Sequence, residues 1–277
     1  MSEDTQRALV EGVNSALSLY GYDAKKHEAK AFATEWARRA TNVDQVKSSF
    51  AKGTGLELEV IDQGKEGRIA YAALLRAVGR PDCPKIASSA SVAAWDIGGG
   101  SMQITGSGKS GAPEVLLGSD STTSFGSAII ALKRQTEGQK GGSDTPNPVN
   151  QALFERAKAV ATEKAESFLR DTFMCDGREE RVLFGVGMLH FHTRRYIEML
   201  TGVKTKSSYT KRDLERAMCA LQNKSDEQIT EMLQLPNVGS ARNRLTNMIL
   251  IWGYMEFLKK SEVIVVTVNG PLGVFYV

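Results

Sequence analysis

The residues best suited to chemistry form the stretch Ala94-Trp95-Asp96-Ile97-Gly98-Gly99-Gly100-Ser101, in which an apolar run leads to an acid, three glycines and a serine. A buried strand that ends here presents the Asp96 carboxylate at its edge, and the chain then turns through residues without a Cβ atom. Backbone N–H groups of such a turn approach an anion closely, and the carboxylate can hold a divalent metal beside that anion. The stretch therefore predicts phosphate binding, and a glycine-rich hairpin that returns through 102–105 is the structural alternative.

The segments around this stretch alternate in type. Hydrophobic periodicity predicts helices over 2–19, 43–52 (with Asn42 as N-cap) and 66–78, and strands over 29–34 and 56–61. Such alternation indicates a parallel sheet with crossover helices. After a candidate domain boundary at 82–91, we expect strands over 91–97, 102–105, 113–117, 182–186 and 263–268, helices over 124–133 and 151–174, a loop over 138–150 and a mostly helical segment up to about residue 260.

Composition limits the class of protein. A chain of 277 residues with 42% hydrophobic and 24% charged residues suits a globular protein of two domains. No apolar run approaches the roughly 20 residues that span a bilayer, and the polar, acidic N-terminus argues against a secretory or transit signal. The scattered cysteines Cys83, Cys175 and Cys219 favour a reducing compartment. We expect a soluble intracellular protein, in the cytoplasm or the interior of an organelle.

The net charge of +3 is concentrated in the C-terminal part, where 13 Lys and Arg face 8 Asp and Glu over residues 181–277. A basic surface suits a polyanionic ligand. Acids are interleaved with these bases and aromatic residues do not accompany them, so we favour solvated helix faces and predict no nucleic-acid site.

Four stretches carry a further signal: Ala33–Asn42, Thr54–Ile61 followed by Glu66-Gly67-Arg68, Asp96–Ser101, and Gly185-Val186-Gly187. In sequence, order and spacing they resemble the exopolyphosphatase and guanosine pentaphosphate phosphatase (Ppx/GppA) family of the actin-like ATPase superfamily. The resemblance covers nearly all of the chain. It implies an α/β fold with two ribonuclease-H-like domains, the first (1–88) without its opening strands and the second (89–277) with a helix-rich C-terminal part.

The resemblance also implies a function: hydrolysis of the terminal phosphoanhydride of polyphosphate or guanosine pentaphosphate. Glu66 matches the catalytic carboxylate, which activates the attacking water, and Arg38 would pair with phosphate. The backbone amides of Gly98, Gly99, Gly100 and Ser101 would bind phosphate oxygens, and Asp96 would face Mg²⁺ directly or through water. Without the resemblance, Glu66 is interpreted as an ordinary acidic residue in the first turn of a helix, and Arg38 as a surface arginine. His190 and His192 are interpreted as residues with a structural role.

The chain departs from the family pattern at four places. Its first helix is one that in the family follows an opening strand and a first phosphate loop, so a sheet edge is expected to be unpaired. We expect that the N-terminus is missing from the given sequence, that this domain is remodelled, or that a protein partner covers the edge. Met102-Gln103 follow Ser101 where the family has Thr-Glu, and Met188-Leu189 stand where it has Gly-Thr. Asn269–Gly273 lacks an arginine and a glutamate. An active phosphatase and an inactive relative that serves as a binding or assembly subunit both fit this pattern, and a sugar kinase fits less well.

Overall fold

The computed structural model describes residues 1–78, 80, 83, 91–108, 110–137, 144–175 and 181–266. The chain divides into two compact units, Met1–Glu66 and Gly67–Val277. The predicted domain boundary at residues 88 and 89 stays a prediction, because residues 84–90 lie outside the described residues. Among the described residues, no helix is both long enough and apolar enough to cross a membrane.

The first unit contains two short paired strands that pack against helices. Its elements are α1 (Glu3–Leu19), β1 (Ala31–Ala33), α2 (Glu35–Arg38), α3 (Val43–Thr54), β2 (Leu58–Val60) and the first turn of α4 (Gln63–Val78). The strands are parallel, with Ala31 opposite Leu58 and Ala33 opposite Val60, as the alternation of elements predicts. A small core joins α1, α3 and both strands around Phe50 and Val46. Helix α3 ends at Thr54 and is capped by Gly55, whose φ of +73° favours glycine.

The predicted N-cap residue of α3 is confirmed in position, but its side chain bonds elsewhere. Asn42 occupies the N-cap position of α3, but its side chain makes no capping hydrogen bond there. The Nδ2 atom of Asn42 instead donates to the carbonyl oxygen of Met1 at 2.9 Å. A tertiary contact between distant residues has replaced the local cap, which sequence spacing alone does not reveal.

The second unit contains most of α4 and the rest of the secondary structure. Its strands are β3 (Val92–Ile97), β4 (Met102–Ser107), β5 (Pro113–Gly118), β6 (Val182–Val186), β7 (Ser208–Thr210) and β8 (Glu262–Val265). Its helices are α5 (Thr122–Glu137), α6 (Gln151–Leu169), α7 (Met188–Thr201), α8 (Lys211–Leu221), α9 (Asp226–Met232) and α10 (Arg244–Phe257), with short 3₁₀ turns at Phe173–Cys175 and Val238–Ser240.

These strands form one mixed sheet in the order β5-β4-β3-β6-β8-β7. The pairs β5-β4, β4-β3 and β8-β7 are antiparallel, whereas β3-β6 and β6-β8 are parallel. Side chains of β3 alternate between two cores: Ala93, Trp95 and Ile97 pack with α5, α6 and α10, and Val92 and Ala94 pack with α4. Burial on both faces explains why this strand is a continuous apolar run.

Most of the predicted helices and strands are present in the structure, but several begin or end at other residues than predicted. The helix predicted over 151–174 ends at Leu169 and is followed by a 3₁₀ turn, and the helix predicted over 124–133 extends to Thr122–Glu137. Strand β7 and helix α2 are additions that the sequence did not predict. Parts of the predicted loop (138–143) and of the last strand (267 and 268) lie outside the described residues.

Candidate functional site

Arg38 and Glu66 lie at the same edge of the small parallel sheet of the first unit. Arg38 is the last residue of α2, which follows β1, and Glu66 lies in the first turn of α4, which follows β2. The carboxyl ends of neighbouring parallel strands meet at one edge, where α/β proteins commonly bind ligands. The structure thus brings together two residues that are 28 positions apart in sequence.

The guanidinium of Arg38 holds the carboxylate of Glu66 from one side. Both Nη1 and Nη2 donate to Oε2 of Glu66 at 3.2 Å, and Nη1 also donates to the carbonyl oxygen of Ile61 at 2.8 Å. Both side chains are largely buried, with 23% and 19% of their surfaces exposed. Because the arginine uses only Oε2, the Oε1 atom of Glu66 can accept a proton from another group.

The pKa of Glu66 is raised from its ordinary value of 4.5. Burial is the largest cause, because it disfavours the charged carboxylate. Arg38 acts in the opposite direction through its charge and its hydrogen bonds, and the neighbouring carboxylate of Glu35 adds to the increase. A carboxylate of raised basicity is better suited to remove a proton from water.

In the second unit, the predicted glycine loop is a tight turn between β3 and β4. The N–H of Gly98 donates to the carbonyl oxygen of Ser101 at 2.8 Å. The carbonyl oxygens of Gly98 and Gly99 accept from the first amides of α5, those of Thr122 and Thr123, at 3.2 Å each. The turn uses the Gly98 amide internally, so Gly99 and Gly100 are its best candidates for donating to an anion. A Cβ atom at Gly99 would meet nothing within 4 Å, which shows that the turn is open on that side.

Asp96 contacts the later glycine motif directly. Strands β3 and β6 are parallel, with Asp96 opposite Val186. Gly187 follows with a φ of +83°, and a Cβ atom there would lie 2.6 Å from Oδ1 of Asp96. Glycine is therefore required at 187 for both its backbone conformation and the close approach of this carboxylate. Two of the stretches singled out in the sequence meet at one edge of the sheet.

The residues that depart from the family pattern have structural explanations. Gln103 is buried and donates from Nε2 to Oγ of Ser101 at 3.1 Å, so it supports the turn. Leu189 is buried in the main core, and only Met188, which is 55% exposed, lies at the surface beside Gly187. Of the two apolar side chains, therefore, only that of Met188 is exposed at this turn. Residues 269–273 lie outside the described residues.

His190 is part of the core, as its structural interpretation predicted. Its Nδ1 atom is hydrogen bonded to the Tyr209 hydroxyl at 2.8 Å, and its ring packs on Trp95. Complete burial lowers the pKa of His190 to about 3, so the ring is neutral in the cellular pH range. His192 is half-buried, and desolvation, followed by the charges of Arg244 and Arg195, lowers its pKa.

The residues around Asp96 suit one kind of metal site. The part of the chain that the structure describes contains no group of three or more His, Cys, Asp or Glu side chains able to hold a metal. That excludes an all-protein cage within this part. Magnesium in phosphate-transfer sites, however, keeps several waters and binds one or two carboxylates together with substrate phosphates. A single carboxylate at the edge of the sheet fits this arrangement.

Two interactions at these positions were not predicted from the sequence. One is the Ile61 carbonyl, which orients Arg38, and the other is the support that α5 gives to the glycine turn. The first has no sequence signal, because any residue supplies a carbonyl oxygen. The second has a weak signal in Ser121, a typical N-cap residue whose Oγ accepts from the Ser124 N–H.

A mixed sheet covered by helices, with glycine turns at its carboxyl edge, defines an α/β protein. A model of the Ppx/GppA phosphatase family matches residues 5–269. The chain therefore belongs to the Ppx/GppA phosphatase family, as its motifs indicated, and membership of the actin-like ATPase superfamily is consistent with this result. The prediction of an α/β fold is confirmed, and the ribonuclease-H-like character of each domain stays a prediction.

Solved structures share the fold. The Aquifex aeolicus PPX-GPPA enzyme is 19% identical, with a TM-score of 0.74 over 99% of this chain and 83% of that one. An exopolyphosphatase from Cytophaga hutchinsonii is 16% identical, with a TM-score of 0.73 over 100% of this chain and 82% of that one. A search of curated proteins found no match. At these identities, the likeness concerns the fold.

Proposed function

We propose that this protein hydrolyses the terminal phosphoanhydride of polyphosphate or guanosine pentaphosphate. The observation that carries the proposal is the contact between Arg38 and Glu66, a largely buried carboxylate of raised pKa at the carboxyl edge of two parallel strands. An arginine that orients a carboxylate and a glycine turn that can bind an anion are both suited to phosphoryl transfer. Family membership supports a phosphatase of this type.

In the proposed reaction, a water molecule attacks the terminal phosphorus atom while its proton passes to Oε1 of Glu66. The bond between this phosphorus and the bridging oxygen breaks, and the shortened chain leaves with that oxygen. Arg38 of the first unit pairs with oxygens of the transferred group. The second unit offers phosphate ligands of its own, the amides of Gly99 and Gly100. Asp96 would hold Mg²⁺, which when bound neutralises charge on the phosphate oxygens.

The test is phosphate release from long-chain polyphosphate and from guanosine pentaphosphate, with and without Mg²⁺. We expect Glu66→Gln to reduce kcat by about 10²- to 10⁴-fold, because general base catalysis typically contributes that much. Glu57→Gln is the matched control, since Glu57 is an exposed acid of the same unit, and it should retain full activity. Equal, near-zero rates in the wild type and Glu66→Gln would contradict the enzymatic proposal.

The second candidate is an inactive family member that acts as a binding or assembly subunit. Two observations favour it: position 103, beside the turn, carries a buried amide rather than a carboxylate, and the exposed Met188 lies beside Gly187. This candidate predicts that polyphosphate binds without being hydrolysed. Binding measured by calorimetry, in parallel with the phosphate-release assay, separates the two functions.

A further inference from the structure

The segment between β5 and α5 contains a buried carboxylate that the proposed hydrolysis does not use. Asp120 is 5% exposed, and its Oδ1 atom accepts from Nζ of Lys164, in α6, at 2.7 Å. Its Oδ2 atom accepts from the hydroxyl of Tyr254, in α10, at 3.0 Å. Aspartate is almost never fully buried unless it is paired. Each oxygen of this carboxylate meets that condition with a partner from a different helix.

The two partners of Asp120 belong to helices that pack tightly together. A Cβ atom at Gly253, next to Tyr254, would lie 2.4 Å from that of Ala161 in α6. Tyr254 is fully buried and packs on the Trp95 ring of β3, with 5.5 Å between the ring centroids. Burial, and then the charge of Asp120 and its hydrogen bond, raise the pKa of Tyr254. The tyrosine hydroxyl therefore stays protonated and holds the carboxylate as a donor.

Asp120 also lies directly before the helix that supports the glycine turn. It precedes the first residue of α5 by two positions, and the first two amides of α5 donate to the carbonyl oxygens of Gly98 and Gly99 at 3.2 Å each. These peptide bonds are trans, so the carbonyl and the N–H of each peptide group point in opposite directions. The amides of Gly99 and Gly100 share those peptide groups. They therefore point away from α5, towards the open side of the turn.

We propose that Asp120 is a positioning residue for the glycine turn, where phosphate would bind. Held by Lys164 and Tyr254, its carboxylate fixes the start of α5 and thereby the direction of the two amide donors. Hydrogen bonds weaken steeply when a donor is misaligned, so this placement sets the affinity for phosphate, although Asp120 does not touch the ligand. The inference rests on the proposed function only for phosphate binding at the turn, and not on hydrolysis at Glu66.

Lys164 has a second effect, because it neutralises the charge of Asp120. An unpaired carboxylate at the start of α5 would repel a phosphate group bound at the turn. The ion pair removes this repulsion, and the carboxylate keeps its hydrogen bonds. Loss of Lys164 alone should therefore weaken phosphate binding more than loss of the Tyr254 hydroxyl. Removal of the Asp120 charge as well should restore part of the affinity.

The test measures binding of imidodiphosphate to the full chain by calorimetry, with Mg²⁺ present. In this probe an NH group replaces the bridging oxygen of a phosphoanhydride, so the probe resists hydrolysis. In protein labelled with ¹⁵N-glycine, the amide signals of Gly99 and Gly100 should shift on binding, which locates the probe at the turn. Unchanged signals would overturn the proposal.

Variants of Asp120 and Tyr254 test the positioning. Asp120→Ala should weaken binding by about tenfold or more, as the loss of a supporting contact commonly does at ligand sites. Asp120→Asn should weaken it less, because its amide oxygen still accepts from Tyr254. Tyr254→Phe should also weaken binding. Tyr71→Phe is its matched control, because the buried Tyr71 is bonded through its hydroxyl to Ser107 at 3.1 Å, at the end of β4 away from the turn.

A double variant tests the charge effect, and denaturant unfolding of every variant separates positioning from stability. Lys164→Met should bind more weakly than Tyr254→Phe, and the addition of Asp120→Asn should recover part of the loss. The proposal is overturned if the double variant binds no better than Lys164→Met, or if Tyr254→Phe binds no more weakly than Tyr71→Phe. It is also overturned if Asp120→Ala loses stability alone. Should Asp120→Ala fail to fold, the Tyr254 and Lys164 variants decide.

Phosphate release, assayed in parallel, keeps this inference apart from the proposed function. A wild type that binds the probe but releases no phosphate contradicts hydrolysis alone. Release of phosphate by a protein whose probe affinity does not respond to Asp120 or Tyr254 variants contradicts the positioning role alone.

Discussion

Glu66 owes its acid–base properties to three neighbouring influences. Burial raises its pKa, Arg38 lowers it, and the Glu35 carboxylate raises it again. Glu35 lies at the start of α2 and Arg38 at its end, so one short helix supplies both opposing charges. Position 35 therefore adjusts the basicity of the proposed catalytic carboxylate without having to contact the substrate.

Glu35→Gln should move the acid limb of the pH profile of kcat/KM to lower pH. The substitution removes a negative neighbour that raises the pKa of Glu66, so the carboxylate stays ionised to more acidic values. The measurement is phosphate release between about pH 4 and 8, with Glu57→Gln as a control for lost surface charge. An unchanged acid limb in Glu35→Gln would show that Glu66 is not the group that limits the rate in acid.

At the scale of elements, the glycine turn depends on helix α5. The first amides of α5 donate to the carbonyl oxygens of Gly98 and Gly99, so they hold the turn in place. Ser121 caps this helix, because its Oγ accepts from the Ser124 N–H at 3.1 Å. Disturbing the cap should therefore affect phosphate binding as well as stability.

Ser121→Ala should lower the free energy of unfolding by about 0.5–2 kcal/mol, the usual value of an N-cap, and should raise KM for polyphosphate. Ser225→Ala is the matched control, because Ser225 caps α9 in the same way, through the Gln228 N–H at 3.3 Å. The control should lose similar stability with KM unchanged. Denaturant unfolding measures the free energy of unfolding, and steady-state kinetics measure KM. An equal increase in KM for Ser121→Ala and Ser225→Ala would contradict a special role for α5.

Strong local patterns explain which elements were predicted from the sequence. The apolar run at Val182–Val186 and the alternation at Leu58–Val60 are periodic signals that burial enforces. The edge strand β7 has only three residues and pairs with a strand more than fifty positions away, so no local signal reveals it. The contact between Asp96 and Gly187 and the anchoring of Arg38 by Ile61 likewise arise from register, which a single sequence does not encode locally.

At the scale of the whole molecule, each unit has its own core. Phe50 belongs to the small core of the first unit, and Phe154 belongs to the large core of the second. No residue is shared between these two clusters, as far as the described residues show. The small core contains few buried side chains, so it should be the more sensitive to a cavity.

Phe50→Ala should cost about 3–5 kcal/mol, as is usual for a buried phenylalanine. We expect hydrogen exchange to accelerate in Val43–Thr54, while Gln151–Leu169 keeps its protection. Mass spectrometry of peptides from both helices measures this difference, and Phe154→Ala serves as the converse variant. Equal acceleration in both helices would show that the two cores unfold as one.

The burial of His190 has a thermodynamic consequence for acid unfolding. Its folded pKa of about 3 lies below its ordinary value of 6.5, so between these values the unfolded chain binds a proton that the folded chain does not. The stabilisation is present above about pH 6.5 and is lost as the pH falls towards 3. Calorimetry at pH 5 in buffers of different ionisation enthalpy should therefore detect proton uptake on unfolding, and His190→Phe should take up about one proton fewer.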